Sequence, residues 1–219
     1  MVAVMSATLP PSVDLFALSK YKSPGNAMML RESLFWRAEE LARNAVSAIE
    51  AGDLVAGALL SRAVMETTAA LVYLHKLVET GIKGGVTAEL NTKIVDFLTG
   101  SKVWEEMGDA VSVMKMIDVV NKLVPGFRGH YDTLSEFAHP NWLGVHGAYG
   151  IIDQNMLTVS FVRGGRNPEA NAAMIAGMLA AALGLTMGYY DFVGEKLVPF
   201  AEAVAGFHDA ELKAGNQPA

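Results

Sequence analysis

Residues 54–79 read LVAGALLSRAVMETTAALVYLHKLVE. The stretch has no proline, and between Asp53 and His75 its only charged side chains are Arg62 and Glu66. Gly52 precedes it, Asp53 stands at the N-cap position, and Gly81, Gly84 and Gly85 make the turn that follows. It is the most apolar helix in the chain that still carries internal charge. Arg62 and Glu66 are four apart and share a face, with Tyr73 near the same stripe. A charged pair inside such a helix must be paired or must line a cavity, because uncompensated burial costs several kcal/mol. If Arg62 is buried, Glu66→Ala is expected to cost about 3–5 kcal/mol.

Outward from this stretch the pattern stays helical. Leu30, Leu34, Leu41, Ala45 and Ile49 recur at helical spacing and predict a helix over 29–51. Further helices are expected over 87–99, 103–123 and 127–138, the last ended by Pro140. Residues 148–162 change period: β-branched and aromatic residues flank Asp153-Gln154-Asn155, which predicts one small β-hairpin. Asn167-Pro168-Glu169 is a helix start, with proline at the first helical position and an acid in the first turn. The last helix is expected from 168 to about 205, kinked near Pro199. The fold class is therefore mainly α, a bundle of about six helices with one hairpin. Residues 1–28 read as an N-terminal arm broken by Pro10-Pro11, 29–208 as a single helical domain, and 209–219 as a flexible tail.

Composition bounds the function. With 52% hydrophobic and 18% charged residues, the chain can build a large core and is not disordered. A net charge of −6 argues against general capture of a phosphate backbone, though a local basic site for nucleic acid stays open. The absence of cysteine excludes disulfide scaffolds, zinc fingers and thiol catalysis. The first thirty residues lack the pattern of a signal peptide, and a cytoplasmic location is expected. From Ala172 to Tyr190 no residue is charged, a run long enough to span a bilayer. It is built from Ala, Gly and Met, however, so its drive into lipid is weak. It is expected to be a central helix buried on all sides, not a membrane span, with Gly177, Gly184 and Gly188 admitting close neighbours.

Two regions could carry chemistry. Tyr131, Ser135 and His139 are four apart in turn, and Pro140 holds His139 at the helix end. Together with Arg62, Glu66 and Asn141 they are expected to converge on one polar pocket, as candidate catalytic residues. The second region is Arg163-Gly164-Gly165-Arg166, ahead of the capped start of the last helix. Two guanidinium groups and a helix N-terminus suit an anion.

Several sharper readings are open. Ser135, His139 and Asp132 provide the letters of a Ser–His–Asp hydrolase, but Asp132 does not stand behind the histidine and no Gly-x-Ser-x-Gly elbow occurs. Glu136-Phe137-Ala138-His139 is one Glu-x-x-His motif, and Glu66 could join it, but a di-iron site needs a second motif. No metal ligands are assigned and no cofactor is expected. In a metal-independent ribonuclease, His139 would be the general acid/base and Arg62 would steady the phosphate. No Arg in the chain has a His four to six residues on, the spacing helical nucleases of the HEPN superfamily use.

Ser61-Arg62-Ala63-Val64-Met65-Glu66-Thr67, then Tyr131-Asp-Thr-Leu134-Ser135-Glu-Phe-Ala-His139-Pro140, then the Gly147-to-Asp153 segment resemble a group of uncharacterised bacterial helical proteins. These carry an Arg-x-x-x-Glu helix and a Leu-Ser-x-x-x-His-Pro segment. The group is similar in outline to HEPN-like domains, which are common in toxin–antitoxin and phage-defence settings. The likeness covers about residues 54–163 and implies a helical bundle. The function expected first is a non-catalytic, self-associating binding or defence-associated module, most simply a homodimer. The alternatives are the ribonuclease and a metal-dependent helical-bundle enzyme.

Overall fold

The apolar stretch forms the axis of the molecule. In the computed structural model, which describes residues 1–85, 87–104 and 106–215, it is α3 (Leu54–Gly84), preceded by α1 (Val2–Thr8) and α2 (Lys22–Glu50). After it come α4 (Ala88–Thr99), α5 (Val113–Leu123), α6 (Phe127–Ala138), a π-helical stretch Trp142–Gly147, strands β1 (Gly150–Asp153) and β2 (Thr158–Phe161), and α7 (Pro168–Gly215). The fold is mainly α with one small hairpin, as the period of the sequence predicts.

Helices α2, α4, α5, α6 and α7 all pack on α3. Its side chains explain why: Val64, Met65, Leu71, Val72 and Leu74 are all at most 1% exposed and point to different sides of the helix. Helix α7 runs parallel to α3. The Thr68 hydroxyl lies 2.8 Å from that of Thr186, and thirteen residues further along α3, Gly81 meets the Phe200 ring. A Cβ at Gly81 would come within 2.6 Å of Phe200 Cε2, so only glycine allows this approach. The hairpin pairs Gly150 with Phe161 and Asp153 with Thr158 in antiparallel register. Asp153 Oδ1 accepts from the Asn155 and Met156 amides and closes the turn.

Five expectations need correction. The arm over 1–28 is partly helical: α1 docks through Met5, which is fully buried, and Ser6 Oγ donates to Glu39 Oε1 at 2.7 Å. Helix α2 begins at Lys22 rather than 29, because Pro24 falls in its first turn, where a missing N–H breaks no intrahelical bond. Helix α5 begins at Val113 rather than 103. Residues 101–104 instead fold over the Ser101 hydroxyl, which accepts from the Val103 and Trp104 amides, and Ser101 N donates to Gly108 O. Helix α7 continues through 209–215, where a tail is expected; residues 216–219 of that tail lie outside the described residues.

The fifth correction concerns 172–190. That run is not buried on all sides, and the central helix is α3. Ala173, Ala176, Gly177, Ala180, Ala181 and Gly184 are exposed, and a Cβ added at Gly177, Gly184 or Gly188 would meet nothing within 4 Å. Among the described residues, none approaches these glycines on the side a Cβ would take.

Candidate functional site

Helices α3 and α6 bring three of the expected residues together. Arg62 Nη2 donates to the Tyr131 hydroxyl at 3.0 Å, and that hydroxyl donates to Glu66 Oε1 at 3.0 Å. Arg62 Nε lies 3.3 Å from the same carboxylate oxygen. The approach is an ion pair without hydrogen-bond angles, and Nε, itself buried, has no hydrogen-bond acceptor among the described residues. The guanidinium carbon is also 5.1 Å from the Tyr131 ring centre. Burial pushes the Tyr131 phenol above its ordinary pKa; Arg62 opposes the shift and the Glu66 charge adds to it. The phenol therefore keeps its proton at neutral pH and can both accept from the guanidinium and donate to the carboxylate. The Arg62 and Glu66 side chains are 28% and 26% exposed, so the pair is half-solvated rather than sealed.

The other three residues do not join them. Ser135 Oγ donates back to the Tyr131 carbonyl at 2.8 Å, a bond within its own helix. Asn141 is a cap: its Oδ1 accepts from the Leu143 and Gly144 amides, and its Nδ2 donates to Glu136 Oε2 at 2.6 Å. His139 leaves the helix with φ −93° and ψ 145°, as the following proline dictates. It is exposed, eight residues and so about 12 Å along the axis from Tyr131. Its backbone N–H donates to the Ser135 carbonyl at 3.2 Å, and among the described residues its side chain makes no hydrogen bond or ion pair. None of the six lines any of the five cavities described. The expected convergence of six residues is thus a three-residue cluster plus local capping. Among the described residues no three His, Asp or Glu side chains come together as metal ligands.

The expected anion site is divided. Arg163 Nη1 pairs with Asp53 Oδ1 at 3.0 Å beside a hollow of about 470 Å³ at the start of α3. Asp53 is accordingly at the N-cap position without making a side-chain cap bond. Arg166 lines a separate hollow of about 200 Å³ with Trp142 and His146. Gly164 and Gly165, both at positive φ, turn the chain between them.

One polar cluster has no counterpart in the sequence reading. Arg31 lies flat on the Tyr190 ring, 3.4 Å from its centre, donates through Nε to the Tyr190 carbonyl, and pairs with Glu32. Tyr190 OH donates to Glu32 Oε2 at 2.7 Å, and Phe35 stacks on its ring. Burial, then the bond to Glu32, pushes the Tyr190 phenol up to about 12. Adjacent residues on a helix point apart, so Arg31-Glu32 carries no pairing signal until α7 supplies the tyrosine.

No known family model, no curated protein and no solved structure matches the chain.

Proposed function

We propose that the chain is a non-catalytic binding module that works as a homodimer, its two copies meeting along α7. The observation that carries this reading is the outward face of that helix. It is uncharged from Ala172 to Tyr190, yet only 28% of its most apolar window is buried. Beside it, Met1, Val46, Ile49, Leu179 and Leu183 line an apolar groove of about 300 Å³. A face of alanine and glycine is flat, and its best complement is another flat face. A twofold axis supplies one by construction, and small residues let the two backbones approach closely. Lipid gains little from such side chains.

The Arg62–Tyr131–Glu66 cluster supports the non-catalytic part. The guanidinium is held by a carboxylate and a phenol of the same chain, so it reads as a clamp of α6 on α3. The ribonuclease alternative needs Arg62 and His139 at one phosphate and rests on the resemblance alone.

Sedimentation and light scattering test the proposal. The parent chain is expected at twice the chain mass, and Ala180→Glu with Gly184→Glu at the single mass with helicity intact. A monomeric parent, or one that partitions into detergent or vesicles, overturns it.

A further inference from the structure

Four of the ten lysines of this net-acidic chain line one cleft. It lies between α3, α4 and α5 and encloses about 560 Å³, within the size range of small-molecule sites. Each helix contributes a stripe at helical spacing. Helix α3 gives Tyr73, Lys76 and Leu77; α4 gives Leu90 and Lys93; α5 gives Lys115, Val119 and Lys122. Two carboxylates are also present, and both are engaged. Glu89 Oε1 is 2.6 Å from Lys93 Nζ. Asp118 Oδ1 is 2.8 Å from Arg128 Nη1, which approaches from outside the cleft. Lys76, Lys115 and Lys122 are exposed and have no ion-pair partner among the described residues.

We infer that this cleft binds a small organic molecule bearing two or more phosphate groups. Three ammonium groups without an ion-pair partner among the described residues, brought to one hollow by α3 and α5, repel one another and gain from any anion that bridges them. Lysine binds phosphate as a point charge, and ammonium groups spread over two helices favour a ligand that carries more than one phosphate. The floor is apolar: Leu90 is 5% exposed, and the half-buried Tyr73 ring is held edge-on by Phe97 at 5.3 Å. That floor suits the organic part of the ligand, a flat ring above all. The reading does not depend on α7 or on the state of association.

Calorimetric titration with pyrophosphate, ADP and adenosine tests it. Pyrophosphate and ADP are expected to bind one per chain, ADP the tighter, with adenosine silent. Raising the salt weakens both. Lys115→Gln with Lys122→Gln, which removes no side-chain hydrogen bond or ion pair among the described residues, should weaken both at least tenfold with the helical fold retained. Lys20→Gln, away from the cleft, should change neither. Absence of binding by pyrophosphate and ADP at millimolar concentration overturns the inference, as does equal affinity in the double variant. It is equally overturned if a short single-stranded RNA binds through these lysines while ADP does not.

Discussion

Helices α3 and α7 are both long and apolar enough to cross a membrane, yet they meet different surroundings. Of the most apolar window of α3, 61% is buried; of that of α7, the more apolar of the two, only 28%. The difference lies in side-chain size. The faces of α3 carry Val, Leu and Met, each of which removes substantial apolar area from water when packed. The outward face of α7 carries Ala and Gly, which score as apolar but offer little area at about 25 cal/mol per Å². The chain can leave that face uncovered at small cost, and a partner can cover it with small loss of side-chain entropy. On the outward face of α7 hydropathy reports the absence of charge, while small side-chain volume keeps the cost of exposure low.

The largest effect that tests this contrast is a core truncation. Leu74→Ala, at a position fully buried on α3, should cost about 2–5 kcal/mol in urea unfolding. Ala181→Ser on the outward face of α7 should change monomer stability by less than about 0.5 kcal/mol. Equal effects would mean that the two helices are equally covered. Two glycines sharpen the comparison. Gly81→Ala should cost about 1–3 kcal/mol, because the new methyl presses on Phe200 and Leu90. Gly177→Ala adds a methyl into open space, so it should stabilise the monomer by up to about 1 kcal/mol while weakening an α7–α7 contact.

The clamp comes next in size. The sequence alone gives about 3–5 kcal/mol for Glu66→Ala on the premise of a buried guanidinium. With both side chains more than a quarter exposed, water screens the orphaned charge, and the expected loss falls to about 1–2 kcal/mol. Tyr131→Phe removes the shared hydroxyl and should be strongly non-additive with it in a double-mutant cycle. Additive losses would show that the three groups do not act as one unit.

What was legible in the sequence follows from what is local. The six main helices, the hairpin and the i,i+4 pairing of Arg62 with Glu66 all depend on residues within one or two turns. The break at Pro140 is equally local, and it places His139 correctly outside α6. Tyr131 reaching that pair needed α6 to dock on α3, and its spacing to Ser135 and His139 suggested a common face that the end of the helix dissolves. The late start of α5 escaped because Val111 continues the helical stripe while a serine hydroxyl upstream captures the backbone. The Arg31–Glu32–Tyr190 cluster and the lysine cleft draw on helices far apart in the chain, so no window of sequence holds their signal.

The smallest effect lies on the seam between the two compared helices. His75 of α3 packs edge-on against Tyr189 and beside Phe192 of α7. Burial holds its imidazole below the ordinary 6.5, and the charges of Lys196 and Lys83 act the same way, while Glu79 opposes them. A histidine whose folded pKa is depressed binds its proton more readily in the unfolded chain, so stability rises with pH across the interval between the two values. The contribution is complete above about pH 6.5 and is lost as the pH falls through the lower, folded value. Melting temperature should therefore drop on acidification below that point, and His75→Gln should remove this part of the slope while leaving the carboxylate-driven loss at lower pH. A parent and variant with the same pH profile between 5 and 7 would mean that the α3–α7 seam is open to water at His75, and that α7 is held less closely there than its contacts with α3 at Thr186 and Phe200 imply.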